Sequence, residues 1–428
     1  MLLRQTPAAD RPARAAVPEV PAAPTPASDQ NEVQASRPLW TYGILLGLLT
    51  ALGAFGIDTY LPAFPQLAAH FGVEEGRIQL SLTSYFLALA LGQVFYGPIS
   101  DRVGRRGPLI VGFLLYSAAS LASVFAPSIG VLIGLRFVQG IGACAGMVIA
   151  RAVVRDLAKG EKAAKLFALM ILVLGVSPIL APLLGSLLIA FFPWHSIFWA
   201  MGAMGLGAVA MVALFLPETL PSDRRGEAGL APAFKTYGRL LRDRTYVGTA
   251  LIGGLSQGAV FAYLAGSPFV FIELHGVSPT VYALLFALNA SALIGAAQFN
   301  VMLFRRFGAT RLVRSAAALQ TLAALGLLTI AWLGADTVPL IACLLFVTLG
   351  CHGILGPTTS LLAIEPWPEN AGSASALMGS LQFACGAVAS ALVSLLADGT
   401  TVPMAASITL CAAAGLALAW ATLRRRNV

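Results

Sequence analysis

The sequence predicts an all-α membrane protein: twelve transmembrane helices arranged as two six-helix pseudo-repeats, with both termini in the cytoplasm. Three observations carry that expectation. First, 58% of the 428 residues are apolar and 11% are charged, against roughly 25% charged in a soluble domain, and the mean hydropathy is +0.82. One helical crossing needs about 20 apolar residues, so this composition supplies roughly twelve crossings and leaves no soluble catalytic domain. Second, the apolar runs are continuous over 18 to 28 residues, whereas barrel strands alternate apolar and polar positions, so a β-barrel is excluded. Third, alternate loops carry 25 Lys and Arg against 1, which sets the even-numbered topology with cytoplasmic ends. The net charge of +8 is thus a topology signal rather than a nucleic-acid surface, and no nucleic-acid partner is expected.

The chain is expected to open with a disordered cytoplasmic tail, residues 1–38, which holds seven prolines and no apolar stretch longer than Leu2-Leu3. No apolar core lies between its charges and Leu39, so a cleavable signal peptide is not expected. The N-terminal six-helix bundle, 39–216, follows, with spans near 39–69, 78–99, 108–126, 129–150, 166–191 and 195–216. A central cytoplasmic loop, 217–245, leads to the C-terminal bundle, 246–423, with spans near 246–274, 280–303, 312–334, 338–362, 372–396 and 403–423. Residues 424–428 form a basic cytoplasmic tail. Trp40, Trp194, Trp199, Trp332, Trp367 and Trp420 fall near span ends, where indoles favour the headgroup layer. The five cysteines, Cys144, Cys343, Cys351, Cys385 and Cys411, lie inside spans without a Cys-x-x-Cys pair, which reads as packing rather than a disulfide, redox or metal site.

An internal repeat is visible at an offset of 204 residues. It aligns Phe71-Gly72-Val73 with His275-Gly276-Val277 and, without a gap, Arg102-Val103-Gly104 with Arg306-Phe307-Gly308. Two such halves joined by a basic loop describe an alternating-access transporter with its site near the midplane. No Gly-x-x-x-x-Gly-Lys-[Ser/Thr] occurs, so ATP is not the direct energy source, and no His-Glu-x-x-His supports an enzyme. An ion gradient is the expected driving force, and no cofactor is expected.

Several stretches carry a family resemblance. Gly97-Pro98-Ile99-Ser100-Asp101-Arg102-Val103-Gly104-Arg105-Arg106, between helices 2 and 3, resembles the signature loop of the major facilitator superfamily. Leu135-Arg136-Phe137-Val138-Gln139-Gly140 resembles its intramembrane arginine motif, and Gly175 to Gly185 in helix 5 resembles its antiporter motif. Ile57-Asp58-Thr59-Tyr60-Leu61-Pro62-Ala63-Phe64-Pro65, and Ala371 to Leu377 with Leu381-Gln382-Phe383, are similar to the Bcr/CflA, bicyclomycin-resistance type of drug:proton antiporter. The resemblance runs from about residue 40 to the end. It implies the major facilitator fold, a bacterial inner-membrane location, and export of small amphipathic drugs of bicyclomycin, sulfonamide or chloramphenicol type in exchange for protons, by a chain that functions as a monomer.

The same residues have physical readings of their own. In the helix 2 to 3 loop, Gly97 and Gly104 permit close approach or positive φ, and Asp101 stands where it can meet a neighbouring helix N-terminus and its dipole. Arg102, Arg105 and Arg106 can pair with acids or lipid phosphates. A plain topology-setting basic turn is one reading; a cytoplasmic gate is the one the resemblance adds. In the second half Asp101 aligns with Arg305, so an acid-dependent latch is expected in one half alone. Glu365 and Glu369 stand in a loop without Lys or Arg, and either pair with the basic loops of the first half or remain solvated. In helix 5, Pro178 and Pro182 remove backbone donors and kink the helix, while Gly175 and Gly185 allow close packing. Packing alone accounts for this pattern, and the resemblance adds a seal against leakage.

Asp58 and Arg136 are the charges well inside spans, and ionisable groups in hydrocarbon are costly enough to be functional candidates by default. Span midpoints place both roughly 5 to 6 Å toward the outside, so the two are expected to meet. Burial favours the neutral acid and a guanidinium favours the carboxylate, so the pair suits proton loading and release; a static ion pair between helices 1 and 4 is the alternative. The preceding part of helix 1 has no second carboxylate, with Thr50 two turns back, so one proton per cycle is the simpler expectation. Tyr60, Tyr85, Gln93 and Gln139 in the first half, with Phe261, Tyr263, Asn289, Gln382 and Phe383 in the second, mix aromatic surface with neutral polar groups, which suits a weakly polar ligand. His352 reads as a packed histidine more readily than as a proton relay. Proton-driven export is the expected function; an importer on the same fold, a passive channel and a transport-inactive sensor are the rivals.

Overall fold

The computed structural model describes residues 38–221, 225 and 230–423. The expected tail up to residue 37, residues 222–224 and 226–229 of the central loop, and the basic tail 424–428 lie outside the described residues. Among the described residues every regular element is helical. The first half consists of α1 (Leu39–Asp58), a 3-10 turn (Leu61–Ala63), α2 (Phe64–Phe71), α3 (Glu75–Val103), α4 (Arg106–Ser123), α5 (Ile129–Leu157), α6 (Gly160–Phe191) and α7 (His195–Phe215). After α8 (Leu230–Arg242), the second half holds α9 (Arg244–Pro268), a π turn (Phe269–Leu274), α10 (Pro279–Phe307), α11 (Ala309–Trp332), α12 (Val338–Ile364), a 3-10 turn (Pro368–Asn370), α13 (Ala371–Leu395) and α14 (Val402–Thr422). Eleven of the long helices are apolar enough to cross a bilayer, and α4, an 18-residue helix opened by Arg106-Gly107-Pro108, completes twelve.

Three features differ from the sequence expectation. The single span 39–69 is broken after Asp58: Pro62 and Pro65 lack the N–H that a continuing helix needs, so the chain makes a 3-10 turn and restarts as α2. Helices α3, α5, α6 and α10 run one to two turns past their apolar windows, because charged residues at the water boundary continue a helix as readily as apolar ones. The central loop contains α8, whose Tyr237 and Leu240 are buried while Lys235 and Arg239 face outward. The Tyr237 hydroxyl donates to the Val94 carbonyl at 3.2 Å, which ties this amphipathic helix to the cytoplasmic end of α3.

The pseudo-repeat is visible in the backbone. Gly72 and Gly276, aligned at the 204-residue offset, have φ of 61° and 64°, and Gly104 and Gly308 have 100° and 73°. Only glycine adopts such angles without strain, so both halves turn at the same places for the same reason. The halves meet along α3 with α13 and along α6 with α10. The first seam is continuous from Ser394, whose hydroxyl donates to the Gly76 carbonyl, through Thr83 and Ser390 at 2.7 Å, to Gln93 against Gly379. Phe86 stacks on Phe261 across it, with centroids 4.0 Å apart. Inside the first half α1 lies close on α6, with Gly43 facing Leu169, Gly47 facing Val173 and Gly185 facing the Thr59 carbonyl. Such small-residue contacts replace the hydrophobic drive that a bilayer does not offer. The outward surface carries exposed apolar side chains, including Trp332 and Trp420. Trp194 departs from the expected belt: it is buried and stacks on His195 at 3.8 Å. Cys343 is likewise exposed rather than packed inside.

Candidate functional site

The buried charges of the first half do not meet. Arg136 on α5 reaches α1 two residues before Asp58, where its Nη2 donates to the Gly56 carbonyl at 2.8 Å. Its Nη1 donates to Gln139 Oε1, and its guanidinium lies over the rings of Tyr60 and Tyr85, 4.5 and 4.4 Å from their centroids. Gln139 in turn donates to Ser120 Oγ at 2.7 Å, Tyr60 shares a 2.9 Å hydrogen bond with Ser81, and Tyr85 donates to the Gly53 carbonyl at 3.1 Å. Arg136 is therefore held by neutral acceptors and aromatic faces, an arrangement that suits a planar cation. The expected Asp58–Arg136 ion pair is absent among the described residues. Arg136 reaches the level of α1 that holds Asp58 but on another face: Gly56 and Asp58 are two positions apart, about 200° around a helix, so a cation on the Gly56 face looks away from Asp58.

Asp58 instead ends α1 at the seam between the halves. It is 5% exposed and makes no hydrogen bond or ion pair among the described residues. It lies within electrostatic range of Tyr85 in its own half and of Tyr263 and Tyr282 across the seam. The opposing wall is built by α9 and α10: Tyr263 accepts from Asn289 Nδ2 at 3.4 Å, Tyr282 shares a 3.1 Å hydrogen bond with Ser267, and Tyr263 stacks on Phe286 at 5.6 Å. Tyr282 and Ser267 are absent from the sequence expectation, because nothing in a neutral polar residue on an apolar helix announces which way it faces.

The expected ligand residues thus divide into two sets. Tyr60, Tyr85 and Gln139 are committed to Arg136. Phe261, Phe383, Tyr263 and Asn289 stand along the seam, and Gln93 and Gln382 lie further toward the cytoplasm, the first against Gly379 and the second beside Gly253. Gln93 Nε2 and Asn289 Oδ1 are buried without a hydrogen-bond partner among the described residues, which leaves each with an unused polar group. His352 is a packed histidine, with Nδ1 3.0 Å from Ser256 Oγ.

On the cytoplasmic side the helix 2 to 3 loop forms a charged lock, with membership that differs from the expectation. Arg105 is its centre: Nε donates to Asp156 at 2.8 Å, Nη1 donates to Ser100 Oγ at 2.9 Å, and Asp101 pairs with the same nitrogen. The N-terminus of α4 is capped not by Asp101 but by Glu218, which accepts from the backbone N–H of Arg105 at 2.8 Å and of Arg106 at 3.2 Å. The reason is geometric. Asp101 lies on the last turn of α3 one turn before Arg105, whereas Glu218 enters through the space that Gly104 leaves open; a Cβ there would sit 2.4 Å from its carboxylate. Burial alone would push the Glu218 carboxyl up, but the N–H groups of Arg105, Leu220 and Arg106 and the Arg225 guanidinium outweigh it and hold the group below the usual glutamate range. Arg102 is exposed, and Gly97 has open space around it. Asp156 and Glu218 are absent from the sequence expectation, though both are acids at the edge of otherwise basic cytoplasmic segments, a signal the sequence does carry.

In α6, Pro178 and Pro182 lie within one continuous helix. Gly185 makes the expected close approach, with a Cβ position 2.2 Å from the Thr59 carbonyl, next to Asp58. Gly175 does not: it faces open space, so close packing accounts for only one of the two glycines.

Two helical halves that meet along a seam, one carrying buried charge at that seam, define a secondary transporter rather than an enzyme. Comparison with known proteins places the chain within a family. A model described as Major Facilitator Superfamily matches residues 46–390, and the chain belongs to that superfamily. It is 37% identical over 390 residues to "Uncharacterized MFS-type transporter YdgK" of Bacillus subtilis (strain 168), covering 90% of this chain and 95% of that one. It is 30% identical to "Bicyclomycin resistance protein homolog" of Haemophilus influenzae, over 90% of this chain and 96% of that one. It is 32% identical to "Multidrug resistance protein D" of Escherichia coli (strain K12), over 79% and 84%. Among solved structures, an inward-facing, unoccupied bacterial homolog of the human lysosomal transporter Spinster superposes with a TM-score of 0.71 at 16% identity, covering 92% of this chain and all of that one. A D-xylose-proton symporter gives 0.68 at 17%, over 90% and 97%; both show the fold alone. The protein is a multi-pass transporter of the bacterial inner membrane.

Proposed function

We propose that the protein exports small amphipathic drugs in exchange for protons, with Asp58 as the proton carrier. The observation that supports this reading most directly is the position of Asp58: a carboxyl at the seam, enclosed by both halves, with no cation in hydrogen-bonding reach among the described residues. A bare charge enclosed there costs several kcal/mol, so proton uptake goes with closure of the halves around Asp58 and proton loss goes with their separation. The relatives named for bicyclomycin and multidrug resistance supply the substrate class. The aromatic pair Phe261 and Phe383, with the unused polar atoms of Gln93 and Asn289, offers stacking surface and a few hydrogen bonds to such a ligand.

Arg136 takes a different part from the one expected of it. Because it is fixed to Gly56 and stacked between two tyrosines, it holds α1 in register with α5 rather than exchanging partners with Asp58. The Asp101–Arg105–Asp156 cluster with Glu218 keeps the cytoplasmic ends of α3, α4 and α5 together, so the first half moves as one body. One proton falling through roughly 150 to 200 mV yields about 3.5 to 4.5 kcal/mol, which sustains a drug gradient of about 10² to 10³.

Proton release on drug binding tests this reading. Adding chloramphenicol, a sulfonamide or bicyclomycin to weakly buffered, detergent-purified protein should release protons in the wild type and none in Asp58→Asn. Drug affinity should also fall as the pH drops through the range where Asp58 takes up its proton, and become flat in the variant. Binding without proton release, at an affinity independent of pH, would overturn the coupling role of Asp58.

A further inference from the structure

Helix α8 lies outside the twelve spans and presents three different faces. A rotation of about 100° per residue puts Ala233, Thr236, Tyr237 and Leu240 on one side of it, and these are its buried or half-buried residues. Tyr237 and Leu240 pack with Tyr246 of α9 and with Ala374, Leu377 and Met378 of α13, and Val94 of α3 joins the same cluster. The helix therefore bridges the first half to the second. It also walls a cavity of about 310 Å³ that opens on the cytoplasmic side between them.

The second face is apolar and exposed. Leu230, Leu241 and Phe234 fall within about 40° of one another, next to the buried side. They are 37%, 51% and 44% exposed. The surface that this stripe continues identifies what covers it. On α3 the exposed residues Leu87, Leu91, Phe95 and Ile99 recur at every fourth position and form its lipid-facing stripe. Phe234 meets Phe95 on that stripe, with ring centroids 5.8 Å apart. At the other end of α8, Leu241 lines one groove with Leu251 of α9 and Leu418 of α14. The apolar edge of α8 thus joins the lipid-facing surface of the first half to the outer groove of the second, at the cytoplasmic ends of the spans.

The third face is cationic. Arg242, Lys235 and Arg239 begin about 80° further round from Phe234. All three are exposed, and none makes a side-chain hydrogen bond or ion pair among the described residues. No acid stands in α8, and Asp243, which follows it, accepts from the N–H groups of Thr245 at 2.8 Å and Tyr246 at 3.3 Å as the cap of α9. An apolar edge flanked by unpaired cations, level with the ends of membrane spans, matches the layered chemistry of an anionic bilayer surface.

We infer that α8 docks on the cytoplasmic leaflet, with Leu230, Phe234 and Leu241 among the upper acyl carbons and Lys235, Arg239 and Arg242 on anionic phospholipid headgroups. The bilayer is then a third support for a helix already fixed to both halves. The anionic lipid content sets how firmly α8 is held beside the cytoplasmic mouth. This surface is independent of the drug carried and of Asp58.

Hydrogen exchange of the Leu230–Arg242 amides tests the docking, in purified full-length protein reconstituted into nanodiscs of phosphatidylcholine with or without phosphatidylglycerol. Phosphatidylglycerol should slow exchange across α8 by about tenfold or more, as three cations at an anionic surface allow. The triple variant Lys235→Gln, Arg239→Gln, Arg242→Gln should lose that response. The double variant Phe234→Ser, Leu241→Ser should exchange faster than wild type in both lipids. All five side chains are exposed, so the Tyr237 and Leu240 contacts stay in place, and unchanged slow exchange in α9 and α13 reports an intact fold. Exchange that ignores phosphatidylglycerol in the wild type, or a response that survives in the triple variant, overturns anionic lipid as the partner. Protection that persists in detergent and in both variants would mean that another part of the chain or a second copy covers this face, and overturns docking on the bilayer.

Discussion

At the cytoplasmic ends of α3 and α10 the two halves make the same glycine turn with different chemistry around it. Gly104 is closed over by the Glu218 carboxylate, and the turn is locked to Arg105, Asp101 and Asp156. Gly308 has nothing within 4 Å of the equivalent position. The same contrast holds inside the membrane: Asp58 and Arg136 are buried in the first half, while the 204-residue counterpart of Asp58 is Ala262 and the second half buries tyrosines, Asn289 and His352. Duplication has preserved the backbone plan and divided the labour. The first half carries charge and the locks that hold charge in place; the second supplies a neutral wall against which a charge or a ligand can be enclosed.

The sharpest way to break that comparison is to neutralise one ionisable group in each half. Asp58→Asn should abolish uphill drug export, a loss of about 100-fold or more in the gradient if one proton drives it, while drug binding persists. His352→Gln, which loses only a contact to Ser256, should keep export within a few fold of wild type. Vesicle transport under an imposed pH gradient reads both. Equal losses would mean that the second half also carries the proton.

Arg136 comes next, and its effect is on stability before transport. Arg136→Gln removes the hydrogen bond to Gly56 and the cation between Tyr60 and Tyr85, and should cost about 2 to 4 kcal/mol. Among the described residues no arginine of the second half is fully buried: Arg314, over the Trp420 ring at 4.2 Å, is part-buried. Unfolding in detergent should therefore show a clear drop for Arg136→Gln, even with drug bound. Unchanged stability together with lost coupling would restore a direct exchange between Arg136 and Asp58.

The cytoplasmic lock predicts a pH signature. Glu218 is held below the usual glutamate range by the N–H groups it caps, so its contribution is fully present above the unfolded-state value and is lost as the pH falls through the lower folded-state value. The stability gap between wild type and Glu218→Gln should be steady near neutral pH and shrink only in acid, below the ordinary glutamate range. A gap that stays constant all the way through that acid range would mean that the charge of Glu218 contributes nothing.

How much of this was legible beforehand follows from what each signal encodes. Span number, order and orientation come from composition and charge along one dimension, and the structure departs from them mainly where Pro62 and Pro65 break a run that composition alone joins. The repeat was visible because positive φ demands glycine at Gly72, Gly104, Gly276 and Gly308, so geometry left a mark in the residue type. The level along the helix axis was also recoverable, since helix rise converts sequence position into distance, and Arg136 does stand level with Gly56. Azimuth was not: whether Arg136 meets Asp58 or the Gly56 carbonyl depends on helix rotation, which two isolated charges do not fix. Partners distant in sequence, such as Glu218 for Arg105 or Tyr282 near Asp58, become visible only once helices are packed.

The smallest effect isolates the difference at the paired turns. Both Gly104 and Gly308 hold positive φ with an extended ψ, so alanine at either position strains the backbone by about 1 to 3 kcal/mol. At Gly308 that should be the whole effect, because the added methyl meets open space. At Gly104 the methyl would meet Glu218 Oε2 at 2.4 Å, so the carboxylate must withdraw from the N–H groups of Arg105 and Arg106. Losing a charge-assisted cap should add about 1 to 2 kcal/mol. The double variant Gly104→Ala with Glu218→Ala removes the clash and the cap together, so its cost should fall short of the sum of the two single variants by about that amount. Thermal unfolding of the four variants reads the difference directly. If Gly104→Ala and Gly308→Ala cost the same, the Glu218 cap adds nothing to the first half, and the two turns are equivalent in energy as well as in shape.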